Sequence, residues 1–191
     1  MKGFICKVLM AVALLWSIGS DAQPLRTSAP ASASVREGVQ KTYLSQVGVG
    51  EKTGRNDGKE VEMYLRSVGL GRGNPWCAAY VNWCLVQNGV HTCNSGWVPN
   101  WFPVERLVYR QGKVIQRFPA PGDCFGIYFS SKRRLAHIGF VDQWKEGPYA
   151  MCVEGNTSSA NSGEKSREGD GVYRKYRLKS QIHSVSSWLG D

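Results

Sequence analysis

Only three histidines stand in the 191-residue chain, and its six cysteines contain no Cys-x-x-Cys pair. Structural zinc sites are built from such pairs and from closely spaced histidines, so zinc is not expected, and nothing else in the sequence implies a metal or organic cofactor. Long apolar runs are also missing. The one concentrated stretch, Val8 to Ile18, falls well short of the roughly 20 residues that cross a bilayer. There is no internal repeat, no helix-turn-helix pattern, no zinc-finger spacing and no RNA-binding aromatic signature. Nucleic acid is therefore not an expected partner, despite a formal net charge of +9.

The short apolar stretch follows Lys2 and Lys7 and precedes Ser20-Asp21-Ala22, with small residues at the −3 and −1 positions. This reads as a secretory signal peptide, residues 1–22, cut before Gln23. The expected location is thus secreted or periplasmic, with no stable membrane insertion after cleavage. A positive balance on an exported protein suggests an acidic polymer as partner, although a solvated surface accounts for scattered charge equally well. The basic residues cluster only at Lys132-Arg133-Arg134. Cys6 leaves with the signal, and Cys77, Cys84, Cys93, Cys124 and Cys152 remain. Export permits disulfides, and an odd number leaves one thiol over. Cys84 with Cys93 and Cys124 with Cys152 are possible pairs, which sequence cannot decide.

Residues 23–33 are rich in Pro, Ala and Ser and read as a flexible leader. Ser34 and Glu37 form a capping-box pattern, with Val35, Val39, Tyr43 and Val47 following at helical spacing. A second helix is expected over Lys59 to Val68, stopped by Gly69, and a third carries Cys77 and ends near Gly89. Thr92 to Pro121 reads as an irregular segment with at most one short helix. CFGIYF, HIGFVDQW, YAMCVEG and GVYRKYRL then read as strands. Helices first and an antiparallel sheet afterwards define an α+β domain over residues 34–191, expected to act as a monomer.

Within this frame NPWCAAYVNWCL places Cys77 at a helix start, where a thiol most readily becomes a thiolate. Cysteine hydrolysis also needs an imidazole and a group that orients it. His137 in LAHIGFVD and Glu154 in MCVEGN supply candidates, and strand alternation puts Asn156 on the same face as Glu154. Each has a plainer reading: Cys77 as a small core residue, His137 as structural, Glu154 as a surface carboxylate, Asn156 as a turn residue. Trp76 and Tyr80 line a substrate groove or pack the core. Asp123 suits a turn better than catalysis.

PWCAAYVNWCL, PGDCFGIYF, AHIGFV and VEGN, in that order, resemble the CHAP branch of the papain-like cysteine peptidases and the related NlpC-type cell-wall hydrolases. The resemblance runs from about Asn56 to Arg177. It implies a papain-like fold, with N-terminal helices packed on a C-terminal antiparallel sheet. It also implies cysteine-dependent hydrolysis of amide bonds in bacterial peptidoglycan, either as an N-acetylmuramoyl-L-alanine amidase or as a stem or cross-bridge endopeptidase. Matched position by position, the catalytic residues fall on Cys77, His137, Glu154 and Asn156. Papain's upstream glutamine has no counterpart, since Gly71 stands six positions before Cys77. A non-catalytic wall-binding module on the same fold is the alternative. A basic adhesin is a third, and it would show steep salt dependence without any need of Cys77.

Overall fold

The computed structural model describes residues 31–159 and 169–190. The expected signal peptide, residues 1–22, lies outside the described residues, as does most of the expected leader. Among the described residues three helices precede a seven-stranded antiparallel sheet, an α+β arrangement. The helices are α1 (Ala31–Ser45), α2 (Lys59–Arg66) and α3 (Cys77–Val86). The strands are β1 (Leu107–Arg110), β2 (Lys113–Val114), β3 (Cys124–Phe129), β4 (Arg134–Gln143), β5 (Tyr149–Thr157), β6 (Gly171–Leu178) and β7 (Ile182–Ser186). Their order across the sheet is β2-β1-β7-β3-β4-β5-β6.

Helix ends follow local chemistry. Gly69 and Gly89 both take φ 71°, the left-handed conformation that ends a helix, and the amides of Leu70 and Val90 turn back to Leu65 O and Leu85 O. The capping-box expectation is corrected. α1 is already running at Ala31, so Ser34 lies inside it and residues 31–33 belong to the helix rather than to a leader. Val39 and Tyr43 are buried as expected, whereas Val47 lies past the helix end and is exposed.

Strand alternation divides the core between the two faces of the sheet. Cys124, Ile138, Phe140 and Val153 join the helices in one cluster, while Phe125, Ile127, Val141 and Cys152 pack in the other. This excludes a Cys124–Cys152 bridge, because the two thiols lie in different clusters and β4 separates their strands. Cys84 and Cys93 are free as well. α3 is apolar almost all round, with eight buried residues, and it packs on β4 and β5 with α1 and α2 over its other sides. Its first residue is thereby carried to the strands that hold His137 and Glu154.

The segment from Thr92 to Pro121 is more ordered than expected. It contains two short 3-10 turns, Val98–Trp101 and Val104–Arg106, followed by β1 and β2. β7, in the polar stretch around His183, lies between β1 and β3. Asp123 is fully buried in the turn before β3. It accepts hydrogen bonds from Ala120 N at 2.8 Å and Arg117 Nη1 at 2.6 Å, a structural role.

Candidate active site

The start of α3 is fixed by neighbours distant in sequence. Trp76, immediately before the helix, donates its backbone N–H to Asn156 Oδ1 at 3.0 Å and its indole N–H to Glu51 Oε1 at 2.9 Å. Asn156 takes φ 56°, a conformation that asparagine tolerates better than most residues, and its amide nitrogen donates to Gly169 O at 3.0 Å. Gly155 lets the helix come close. A Cβ there would meet Trp76 Cζ3 at 2.7 Å and Tyr80 Cγ at 2.8 Å. Cys77 therefore begins α3 in a fixed place, where unsatisfied backbone N–H groups and the helix dipole favour negative charge.

His137 and Glu154 meet on the neighbouring strands β4 and β5, with Nε2 and Oε2 2.8 Å apart and both side chains fully buried. Arg177 on β6 closes the row. Its Nε donates to Glu154 Oε1 at 2.6 Å and its Nη2 to Oε2 at 2.6 Å, a two-pronged clamp that is itself buried. The carboxylate thus faces a cation on one side and the imidazole on the other. Burial pushes the Glu154 carboxyl up, but Arg177 and then His137 outweigh it and bring its pKa to about 2. His137 Nδ1 makes no hydrogen bond of standard geometry. Burial pushes the imidazole down, yet the nearby Cys77 thiol and the Glu154 carboxylate raise its pKa to about 9.

Cys77 is the partner of that imidazole. Burial alone would raise its thiol pKa, but His137 and the backbone N–H groups of Ile138 and Ala78 hold it below the ordinary thiol value. The other described cysteines go the opposite way, with Cys84, Cys93, Cys124 and Cys152 all pushed up, chiefly by burial. Cys77 also lines an open cleft of about 440 Å³, whose walls include Leu70, Pro75, Trp97, Arg134 and Ala136.

Glycine at 139 makes room for this row. A Cβ there would stand 2.9 Å from Glu154 Cγ, 2.8 Å from Val153 O and 2.8 Å from a Phe125 ring carbon. Gly139→Ala should therefore displace the Glu154 side chain and destabilise the protein by about 1–3 kcal/mol, the usual cost of overpacking. That corresponds to a fall in Tm of roughly 2–12 °C for a domain of this size, measurable by thermal unfolding. An unchanged Tm would mean that the strands open here without cost.

Two expectations need correction. Trp76 and Tyr80 do not line the groove. Both are fully buried, and the Tyr80 hydroxyl donates to Tyr43 O at 3.0 Å. At the N-terminal turn of a helix buried on nearly every side, their rings fill the space over Gly155 and beside Tyr64. Nor does Asn156 join the imidazole. The left-handed backbone at Asn156 and the register shift between Glu154 and Thr157 break the strand alternation, so its side chain turns to Trp76, Asn56 and Gly169. Of the remaining histidines, His91 is exposed and His183 is stacked on Tyr128, and neither lines the Cys77 cleft.

Sequence reasoning missed Arg177 and Glu51. The alternation within GVYRKYRL offered a partial signal, since an arginine pointing into a core must find an anion. Among the described residues, no cluster of three or more His, Cys, Asp or Glu side chains is arranged to hold a metal ion, and no helix is long and apolar enough to cross a membrane.

A thiol at a helix start, an imidazole and a carboxylate in series, on helices packed against an antiparallel sheet, form the triad arrangement of thiol-dependent hydrolases. The family model of the CHAP domain matches residues 69–156. CHAP domains are generally peptidoglycan hydrolases or peptidases. The matched segment includes Cys77, His137, Glu154 and Asn156, while Arg177 lies beyond it. No curated protein and no solved structure matches the chain.

Proposed function

We propose that this protein is an exported cysteine hydrolase that cleaves amide bonds in bacterial peptidoglycan, as a muramoyl-alanine amidase or a peptide endopeptidase. The observation that carries the proposal is the Cys77 thiol. Of the described cysteines it alone has its pKa lowered, and its partner His137 is backed by Glu154. His137 takes the thiol proton through Nδ1, giving a thiolate–imidazolium pair. The thiolate attacks the scissile carbonyl, and the backbone N–H groups at the start of α3 face the oxyanion that develops. His137 then protonates the departing amine, which leaves an acyl-enzyme. A water that loses its proton to His137 hydrolyses this thioester and restores the thiol. Glu154 is a positioning residue that holds the Nε2–H tautomer and stabilises the imidazolium. Asn156 is a positioning residue that acts through the start of the helix.

The direct test incubates the mature protein with purified peptidoglycan in mild reductant and identifies soluble fragments by mass. New amino or muramic ends would establish hydrolysis and show which bond is cut. Protein that pellets with the wall and releases nothing would instead be a binding module.

The thiolate itself can be measured. Iodoacetamide reacts with thiolates, so labelling at pH 6–7 should reach Cys77 before the more exposed Cys93, whose thiol is pushed up. Because the Cys77 pKa is lowered, its labelling rate should persist as pH falls through 9.0, the ordinary thiol value at which an unperturbed thiol loses reactivity. Near pH 9 the imidazolium loses its proton and the ion pair ends. Peptide mass mapping across pH reads the persistence of Cys77 labelling. Preferential labelling of Cys93 at neutral pH would refute the ion pair.

A further inference from the structure

Val104, Val114, Ile115 and Phe118 leave apolar side chains in water, 74%, 42%, 53% and 69% exposed. They gather around the β1–β2 hairpin, at the opposite edge of the sheet from β6. Ile115 N donates to Val108 O at 2.8 Å and Gln116 Nε2 to Glu105 O at 3.3 Å, so the chain from Val114 to Phe118 runs beside Val104 and β1. None of the four lines the Cys77 cleft. Cations accompany them. Residues 103–118 carry Arg106, Arg110, Lys113 and Arg117 against Glu105 alone. Arg106 lies over the Trp188 ring and Arg117 donates to Asp123. Arg110 and Lys113, paired in register across the hairpin, are exposed.

We infer that this hairpin docks on a membrane surface, with Val104, Ile115 and Phe118 in the headgroup boundary of an anionic bilayer and Arg110 and Lys113 against its phosphates. The inference stands apart from the chemistry of Cys77. Apolar side chains gathered in water mark an interaction surface, and two features select lipid as the occupant. The first is the mixture of chemistry. A hydrated polyanion could pair with Arg110 and Lys113, but it gives the apolar side chains nothing. The boundary between headgroups and acyl chains accepts both. Glu105, which such a surface repels, is outnumbered. The second is the weakness of the edge as a protein interface. β2 is two residues long and Lys113 is one of them, which discourages pairing with a second copy of the chain. A stable protein interface also takes about 20–30 residues per side, far more than this patch holds.

The test is cosedimentation of the mature protein with vesicles of phosphatidylcholine, alone or mixed with phosphatidylglycerol. Wild type should pellet with the anionic vesicles and much less with the neutral ones. Val104→Ser, Ile115→Ser and Phe118→Ser together should weaken that binding by on the order of 10- to 100-fold, the worth of burying two or three such side chains. Arg110→Gln with Lys113→Gln should weaken it by roughly 10-fold, as the loss of two cations near an anionic surface does. Wild type and variants share every other segment, so the difference reports the hairpin. Iodoacetamide labelling of Cys77 should be unchanged in both variants, which verifies the fold, and Phe118→Ser alone serves if the triple variant folds poorly. No pelleting with either vesicle, or pelleting that survives the serine substitutions, would overturn the inference. So would a wild-type dimer that the serine substitutions separate and that ignores vesicles, which would assign the hairpin to a second copy of the chain.

Discussion

Cys77→Ala should reduce the release of peptidoglycan fragments to background, a loss on the order of 10⁴-fold or more, as removal of a covalent nucleophile does elsewhere. The reasoning begins with the pairing. The one described thiol held in a lowered-pKa state is also the one coupled to His137, and no other described cysteine lines the cleft. The variant should keep its fold, since α3 is anchored by Trp76, Tyr80 and Leu85 rather than by the sulfur. The loss of a small buried group costs about 1 kcal/mol or little more. Far-UV circular dichroism should match wild type, with Tm within a few degrees. Cys77→Ser sharpens the test. A hydroxyl is far less acidic than a thiol, so an imidazole balanced for a thiolate leaves it protonated, and this variant should be nearly as inactive as the alanine. His137 titration by NMR gives an independent reading. Without the thiol the ring loses one of the two influences that raise its pKa, which should fall from about 9. Wild-type rates from a folded Cys77→Ala protein would assign the nucleophile elsewhere. No release from either protein, with both bound to the wall, would leave a binding module.

The residues proposed for this chemistry each have a short-range signature. A helix start before an apolar run marks Cys77, and alternating strands around CFGIYF and GVYRKYRL have the bounds read from them, Cys124–Phe129 and Gly171–Leu178. Other features depend on partners remote in sequence. β7 reads as a tail because SQIHSVS is polar, yet Ser184 and Ser186 are buried; Ser186 Oγ donates to Trp101 O at 2.7 Å. Local propensity cannot supply that bond. Trp76 and Tyr80 were ambiguous for the same reason. An aromatic residue beside a reactive group lines a groove or fills a core depending on what approaches it, and here Gly155 approaches. Asn156 was placed beside the imidazole by strict alternation, and one left-handed residue was enough to redirect it. The glycines of AHIGFV and VEGN carry a steric requirement that becomes visible only once Glu154, Trp76 and Tyr80 surround them.

Arg177 has no local signature, and its removal should have the largest effect on stability. Arg177→Met keeps most of the buried chain but leaves Glu154 with His137 as its neighbour in a dry site. Breaking one side of a buried, hydrogen-bonded ion pair costs about 3–5 kcal/mol, because the abandoned charge keeps its desolvation penalty. The expected fall in Tm is roughly 6–20 °C. The pH dependence separates this from a simple packing defect. In the wild type the folded-state pKa of Glu154 is depressed to about 2 from the ordinary 4.5. Its contribution to stability is therefore complete above the unfolded value and is lost as pH falls from about 4.5 through 2. Without Arg177, the largest influence lowering that pKa is gone, so the carboxyl should take up its proton, and the protein lose this contribution, at higher pH. Acid unfolding of Arg177→Met should begin earlier than that of the wild type, even after the lower starting stability is subtracted. Adding Glu154→Gln should recover much of the loss, since a neutral amide no longer needs the guanidinium while its oxygen can still accept from His137 Nε2–H. A double-mutant cycle across the pair would then give a large coupling energy. An Arg177→Met protein with wild-type Tm and an unmoved acid edge would show that Glu154 is held by His137 alone. The measured coupling would otherwise extend the row Cys77–His137–Glu154 by one residue, to a strand beyond the matched CHAP segment.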